Sequence, residues 1–182
     1  MGIGTQAAAR RLDPAVGRHQ ITRTATEPVD SVRFRRAFRR HPAGVVVITV
    51  DAGQGPAGFT ATSLTSLSAE PALVSFGISA TSSSWPHVRE ARTAVVHFLG
   101  AEHEEVARTF ATSGIDRFAA PTRWRRLATG EPLLDGIEGW LRVTLQHRLP
   151  AGDSHLVVAR VEEASLAESS PLLYHDGGYH TL

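Results

Sequence analysis

Short apolar runs separated by turn residues dominate the sequence after residue 42, and they constrain the fold most strongly. Residues 45–52 are almost continuously apolar, and similar runs occupy residues 71–79, 93–100, 137–149 and 155–166. Glycine, proline or aspartate stands between most of these runs, as is typical of strands joined by turns. Because only short helical segments separate them, the runs predict an antiparallel β-barrel in a single domain.

The segments between the runs contribute short helices and loops. The first predicted helix places Phe34, Ala37 and Phe38 on one face. The last two long strands are joined by a turn at residues 150–153. The other predicted elements are a strand over residues 59–67, helices over 30–41, 82–92 and 102–112, and loops over 114–118 and 122–136.

Composition limits the chemistry as well as the fold. The 182 residues include no cysteine and no lysine, which excludes thiolate metal sites, cysteine nucleophiles and lysine Schiff bases. A hydrophobic fraction of 42% and a net charge of +1 predict one soluble domain over residues 29–182, after a mobile tail at 1–28. No apolar run approaches the roughly 20 residues of a membrane span. We therefore expect a cytoplasmic protein that binds neither a membrane nor a metal.

A dense run of hydroxyl side chains crosses the second predicted strand. The segment GFTATSLTSLSAEPALVSFGI contains six serine or threonine residues within residues 60–68. Such a run either forms a solvent-facing strand surface or lines a site that needs many neutral hydrogen bonds. The residue types alone favour the solvent-facing surface.

Two motifs match known patterns only in part. GQGPAG at residues 53–58 has the spacing of a dinucleotide-binding loop, but a strand follows where that loop needs a helix, so a hairpin turn is the better interpretation. GDSHL at residues 152–156 resembles the serine motif of GDSL-type hydrolases, with Asp176 and His180 as loose partners. However, Ser154 opens a late hairpin strand, whereas that nucleophile belongs on the first strand of a parallel fold.

Five arginines in residues 33–40 would suit a nucleic-acid-binding module. The remaining chain is not basic, so the solvated face of a surface helix is the simpler interpretation. We therefore expect no nucleic-acid partner.

Seven stretches of the sequence follow the order and spacing of one known family. They are FRRAFRRHPAGVVVITV, GFTATSLTSLSAEPALVSFGI, SSSWPHVREA, VVHFLGAEHEEVARTFA, DRF, GDSH and PLLYHDGGYHTL. Together they resemble the short-chain flavin reductases, which are FMN-binding split-barrel proteins that supply reduced flavin to two-component monooxygenases. The resemblance runs from about Phe34 to the C-terminus. It implies a mainly β fold, an antiparallel split β-barrel with Greek-key-like connections and a few short flanking helices.

The resemblance also implies a flavin site. The hydroxyl-rich run would line the flavin ring and ribityl chain, and neutral donors there would stabilise the negative charge that reduction adds to the ring. Serines before the second helix and one arginine would hold the phosphate. The implied flavin-binding residues are Thr60, Ala61, Thr62, Ser63, Ser66, Leu67, Ser82, Ser83, Ser84, Trp85, Arg117 and Phe118.

His155 and Tyr179 are the residues that the resemblance implies for contact with the nicotinamide. The sequence departs from the family at two places. The family has histidine directly after Gly-Asp, but Ser154 stands there and His155 follows, on the opposite face of a regular strand. His97 stands where many members carry asparagine. Which of Ser154 and His155 contacts the nicotinamide stays open at this point.

The implied activity is hydride transfer from NADH or NADPH to FAD or FMN. Stacking of the two rings performs this step, so no side chain is an obligatory catalytic group. The implied partners are a second copy of the chain, in a homodimer, and a separate oxygenase that receives reduced flavin by diffusion. Two alternatives remain, namely a carrier or oxidase that holds FMN tightly, and a GDSL-type hydrolase.

Overall fold

The computed structural model describes residues 28–182 and shows a mainly antiparallel β fold with three short α-helices and a 3₁₀-helix at Ala101–His103. The predicted mobile tail, apart from Pro28, lies outside the described residues. The helices are α1 (Ser31–Arg39), α2 (Trp85–Glu90) and α3 (Glu104–Ala111). The strands are β1 (Ala43–Gly44), β2 (Val46–Asp51), β3 (Pro56–Ala61), β4 (Thr65–Ala69), β5 (Ala72–Ser79), β6 (Thr93–Phe98), β7 (Trp124–Arg126), β8 (Pro132–Leu134), β9 (Trp140–Ala151), β10 (Ser154–Ser165), β11 (Leu172–His175) and β12 (Gly178–Thr181).

Seven of these strands form one sheet, in the order β3-β2-β6-β9-β10-β5-β4. Every neighbouring pair in it is antiparallel. Strand β1 joins the β11–β12 hairpin in a second, three-stranded sheet, and β7 pairs with β8. The predicted antiparallel, mainly β architecture is therefore confirmed.

The seven-stranded sheet is strongly curled, because its two edge strands are joined by residues 62–64 alone. Four Cα-to-Cα steps reach at most about 15 Å, whereas a flat seven-stranded sheet would hold its edges about 29 Å apart. A pair of hydrogen bonds between Ser63 Oγ and the backbone of Gly77 (2.9 and 3.3 Å) ties the connection to β5. The prediction of a single strand over residues 59–67 is wrong, since the chain changes from one sheet edge to the other within that span.

Strand β2 is buried on both faces, which explains its continuous apolar sequence. Ile48 and Val50 point into the hollow of the curled sheet, where they join Phe76. Val47 points the opposite way, into a second cluster that includes Phe110 of α3. The fold therefore has two cores, one inside the curl and one between the sheet and α3.

Helix α1 lies on the surface, and all of its residues are exposed. Asp30 caps it by accepting hydrogen bonds from two backbone N–H groups of the first turn. Arg39 holds its other end against the β11–β12 hairpin through an ion pair with Asp176 (3.3 Å). The predicted surface helix is confirmed, and its aromatic face, Phe34 and Phe38, is not buried within one chain.

The segment at residues 122–136, predicted as a loop, contains the short β7–β8 hairpin. Its strands have three residues each, too few to show the alternation by which a strand is recognised in a sequence. Trp124 anchors the hairpin through an edge-to-face contact with Phe118 (5.3 Å between ring centroids). None of the helices within residues 28–182 combines the length and apolarity that crossing a bilayer requires.

Candidate functional site

The hydroxyl-rich run does not form one continuous surface. Thr60 is half-buried, and its Oγ1 donates a hydrogen bond to the carbonyl of Ala107 in α3 (2.6 Å). Ala61 belongs to the core inside the curl. Thr62 and Ser63, which follow the end of β3, are exposed. Ser63 Oγ already bonds the Gly77 backbone, so the Thr62 hydroxyl and the remaining lone pair of Ser63 Oγ are what this part of the run presents to a ligand.

Thr62 and Ser63 lie in a depression of about 840 Å³ beside helix α1. Phe34 and Phe38 form another part of its lining, with their rings in tilted contact (4.7 Å between centroids). Tyr174 of β11 also lines it. The depression thus combines an aromatic surface with neutral hydroxyl groups and with the basic side chains of Arg35 and Arg39.

Ser66 and Leu67 lie further along β4, beyond the lining of this depression, which ends at Thr65. Both are exposed, and the ladder to β5 is irregular between Ser66 and Ser68. The structure does not place Ser66 and Leu67 with Thr62 and Ser63 in one pocket.

A second cavity, of about 140 Å³, is lined by residues of β3, by α2 and the serines before it, and by the segment after α3. Its main polar group is the guanidinium of Arg117. Nη1 of Arg117 lies 2.9 Å from the carbonyl oxygen of Gly58, 3.0 Å from Ser84 Oγ and 3.3 Å from Ser83 Oγ. Nε donates to the carbonyl of Thr112 (2.9 Å), so the side chain is fixed in place.

The charge of Arg117 is not balanced by a nearby acid. Within residues 28–182, no carboxylate oxygen lies within 4.0 Å of its guanidinium. The carboxylate of Asp116, which also lines the cavity, accepts a hydrogen bond from the backbone N–H of Phe118 (2.9 Å). Partial burial lowers the pKa of Arg117 but leaves it protonated at neutral pH. A half-buried cation without a counter-charge fits an anion such as a phosphate.

The three serines before α2 have different environments. Ser84 is buried, and its Oγ donates to the carbonyl of Gly58 (2.8 Å). Ser82 Oγ accepts from the Ser84 backbone N–H (3.3 Å). Ser83 is exposed, and its hydroxyl faces Arg117. Ser84 stands at the N-cap of α2, but its side chain makes no capping hydrogen bond.

Phe118 belongs to the core and also lines the Arg117 cavity. It is 9% exposed, and its ring packs edge-on against Phe110 (5.2 Å between centroids) and against Trp124. Phe118 therefore supports the segment that carries Arg117.

Trp85 and His155 are stacked, with ring centroids 3.7 Å apart and planes 15° apart. His155 shares its side of β10 with Val157, which is fully buried. Ser154 lies on the opposite side, and its Oγ donates to the carboxylate of Asp153 (3.0 Å). Trp85 thus covers one face of the His155 ring. No histidine within residues 28–182 is hydrogen-bonded to Ser154, as a hydrolase nucleophile would require.

Tyr179 lies apart from His155, in a depression of about 440 Å³ that Arg108 and Tyr174 also line. The Arg108 guanidinium sits 5.0 Å from the Tyr179 ring centroid, and Tyr174 contacts the ring edge-on (5.3 Å). Burial raises the pKa of the Tyr179 phenol, which is therefore neutral at physiological pH. Within one chain, the described contacts do not bring the two predicted nicotinamide residues together.

Sequence reasoning missed His87, which lines the cavity beside Ser83 and Arg117. It stands four positions after Ser83, and that spacing on a helix was the available signal. The aromatic wall formed by Phe34 and Phe38 was also missed as part of a pocket, because only the fold brings α1 beside residues 62–65.

Comparison with known proteins identifies the family. The model of the flavin reductase like domain matches residues 38–182. An NADH:FMN oxidoreductase of Rhodococcus erythropolis is 47% identical over 152 residues, which cover 81% of this chain and 79% of the relative. The reductase component of the flavin-dependent trigonelline monooxygenase of Acinetobacter baylyi is 34% identical over 157 residues, covering 85% of this chain and 50% of the relative.

The solved structures agree with the sequence relatives. A crystal structure of a flavin reductase domain protein from Arthrobacter sp. FB24 superposes with a TM-score of 0.79 at 38% identity, covering 84% of this chain and 96% of that one. The resemblance stated from the seven stretches is confirmed. This chain belongs to the flavin reductase like domain family.

Proposed function

We propose that this flavin reductase uses NADH to reduce FMN and releases the reduced flavin to a separate oxygenase. The observation that carries the proposal is the position of the two polar sites along β3. The Arg117 cavity lies at Gly58, and the exposed Thr62 and Ser63 follow four residues later. Four strand residues span about 13 Å, a length suited to the five-carbon ribityl chain that separates the phosphate of FMN from its ring.

The groups at each site fit the part of FMN assigned to them. Arg117 supplies a charge without a counter-charge, and Ser83 supplies an exposed hydroxyl, so these two residues would hold the phosphate. Thr62 and Ser63 would present neutral hydrogen-bonding groups to the ring, against the aromatic surface of Phe34. When bound, the flavin accepts the hydride that the nicotinamide donates.

The role of the protein in this reaction is to position the flavin and nicotinamide rings against each other. Hydride transfer between stacked rings needs no general acid or base. We place the nicotinamide near His155, whose ring is held at one face by Trp85. Tyr179 would contribute to this site only in an assembly that brings it closer.

We further propose a homodimer in which α1 forms part of the interface. Phe34 and Phe38 are 55% and 59% exposed in the single chain, and they line the depression that also holds Thr62. A second copy covering this face would bury the aromatic pair and exclude water from the ring site.

The oxygenase is proposed from a relative. A protein that shares 34% identity with this chain is the reductase component of a flavin-dependent monooxygenase. By analogy, a separate oxygenase would take up reduced flavin that diffuses from this chain. The supply of NADH makes the cytoplasm the compartment we propose.

The direct test is the loss of nicotinamide absorbance with purified protein, NADH or NADPH, and added FMN, FAD or riboflavin. We expect turnover that depends on added flavin, with NADH and FMN as the preferred pair. Flavin that co-elutes with the protein in gel filtration and is reduced only once would indicate an FMN carrier or oxidase instead. Absence of both turnover and flavin binding would contradict the proposal.

A further inference from the structure

The imidazole of His87 is a polar group without a partner beside the Arg117 cavity. His87 lies on α2, is half-buried and lines the cavity. Within residues 28–182, its Nδ1 is shielded from solvent and has no hydrogen-bond partner. A buried polar atom left unpaired destabilises the folded state. The ring therefore has unused hydrogen-bonding capacity at this place.

The charged side chains that line the cavity with His87 are Arg117 and Asp116, and the Asp116 carboxylate already accepts a hydrogen bond from the backbone N–H of Phe118. Arg117 and Ser83 line the same cavity, and the carbonyl of Gly58 is already occupied by Ser84 and Arg117. Ser83 precedes α2 and His87 lies within its first turn, and both line the cavity. A neutral imidazole donates one hydrogen bond and an imidazolium donates two. A phosphoryl group in the cavity is thus a ligand to which Arg117, Ser83 and His87 could all donate hydrogen bonds.

We infer that His87 is a third ligand of the flavin phosphate and increases the preference of this reductase for FMN over unphosphorylated riboflavin. The inference rests on the proposed function, since it takes the Arg117 cavity as the phosphate site. It adds a binding residue and a basis for ligand discrimination that Arg117 and Ser83 do not supply alone.

Binding of FMN and of riboflavin, each followed by the quenching of flavin fluorescence, tests the inference without turnover. Riboflavin shares the ring and ribityl chain but lacks the phosphate, so it reports on everything except this cavity. We expect His87→Ala to raise the Kd for FMN about tenfold, as the loss of one charge-assisted hydrogen bond does, and to leave the Kd for riboflavin unchanged. His87→Gln, which keeps a side-chain donor, should lose less FMN affinity.

Two further variants make the outcome specific. His147→Ala removes an exposed histidine of β9 and should change neither Kd. Ser83→Ala should weaken FMN alone, because the described partner of this hydroxyl is Arg117. Equal losses for FMN and riboflavin in His87→Ala, or no loss for either, would overturn the role of His87.

The same data separate this inference from the proposed function. If Ser83→Ala weakens FMN selectively and His87→Ala does not, the phosphate site stands and His87 is not part of it. If neither variant discriminates between the two flavins, the cavity is not the phosphate site and the inference fails with it. Selective binding without NADH-dependent turnover would support His87 and contradict the reductase activity.

Discussion

At the scale of single residues, His97 shows how a buried imidazole can hold two layers together. It is fully buried in β6, with Nδ1 3.1 Å from the carbonyl of Val47 and Nε2 accepting from the backbone N–H of Leu134 (3.0 Å). Because Nε2 accepts, the proton of the neutral ring is on Nδ1, which donates to Val47. His97 therefore links β2 to the β7–β8 hairpin in its neutral form.

This arrangement predicts an acid-sensitive fold. Burial lowers the pKa of His97 to about 4, whereas the unfolded chain has the ordinary value of 6.5. As the pH falls below 6.5, the unfolded chain takes up a proton on His97 before the folded chain does. The contribution of neutral His97 to the free energy of unfolding is therefore complete above pH 6.5 and is lost as the pH falls to about 4. The loss is about 3 kcal/mol in the free energy of unfolding.

Urea unfolding at several pH values between 7 and 4 measures this loss. We expect His97→Asn to show a smaller decline over that range than the unsubstituted chain, since asparagine does not titrate. His147→Asn, at an exposed position, should keep the full decline. Identical declines in His97→Asn and the unsubstituted chain would contradict the assignment.

Gly58 is a second position where one residue supports the site. A Cβ there would lie 2.8 Å from Phe110 Cε1 and 2.9 Å from the carbonyl oxygen of Ile48. We expect Gly58→Ala to lower the free energy of unfolding by about 1–3 kcal/mol through overpacking. The shift of the strand should also weaken FMN binding, because the Gly58 carbonyl orients Arg117.

The matched control is Gly44→Ala, where an added Cβ meets no atom within 4 Å. Urea midpoints of the two variants give the comparison. Equal stability of Gly58→Ala and Gly44→Ala would show that the contact with Phe110 is relieved without cost.

The serines before α2 show why single-residue roles were only partly predictable. The resemblance implied a phosphate site at this segment, which stays a prediction, and the Ser83 hydroxyl lies 3.3 Å from Arg117 Nη1. Ser84 differs from Ser83 because it faces the Gly58 carbonyl, 26 positions earlier in the chain. No local pattern encodes such a contact, so the buried and the displayed serine looked alike in the sequence.

At the scale of secondary-structure elements, α1 carries the prediction about assembly. Its aromatic pair is exposed in the single chain, although aromatic side chains are costly to leave in water. We expect the double substitution of Phe34→Ser and Phe38→Ser to convert a dimer into a monomer in light scattering coupled to gel filtration.

Leu166→Ser serves as the control, because Leu166 is 88% exposed and lies outside the depression that Phe34 and Phe38 line. It should leave the molar mass unchanged. A monomeric unsubstituted chain, or a dimer that survives both phenylalanine substitutions, would show that α1 is not the interface.

Elements with a clear period were predicted well, and short ones were not. The long strands β9 and β10 were placed within a few residues because their alternation extends over many positions. The β7–β8 hairpin was missed because three residues show no period. The predicted strand over residues 59–67 failed for another reason, since two edge strands with similar composition are separated by only three residues.

At the scale of the whole molecule, the resemblance predicted the family and the antiparallel fold, while the curl of the sheet comes from its topology. The two cores arise because one sheet packs on both faces, against itself inside the curl and against α3 outside. A sequence indicates that a strand such as β2 is buried on both faces, but not which neighbours cover each face. The resemblance implied that Tyr179 and His155 both contact the nicotinamide. The described contacts within one chain do not bring these two residues together.

The connection at residues 62–64 restricts which sequence changes the proposed flavin-ring site can accept. Its side chains face the proposed ring site, while its length keeps the two edges of the sheet together. Substitution of Thr62 can alter ligand preference without loss of a described contact, whereas Ser63 is bonded to Gly77 and Leu64 packs against the core. An inserted residue would let the edges of the curled sheet separate. New flavin specificities in this fold should therefore arise by exchange of side chains at a fixed loop length.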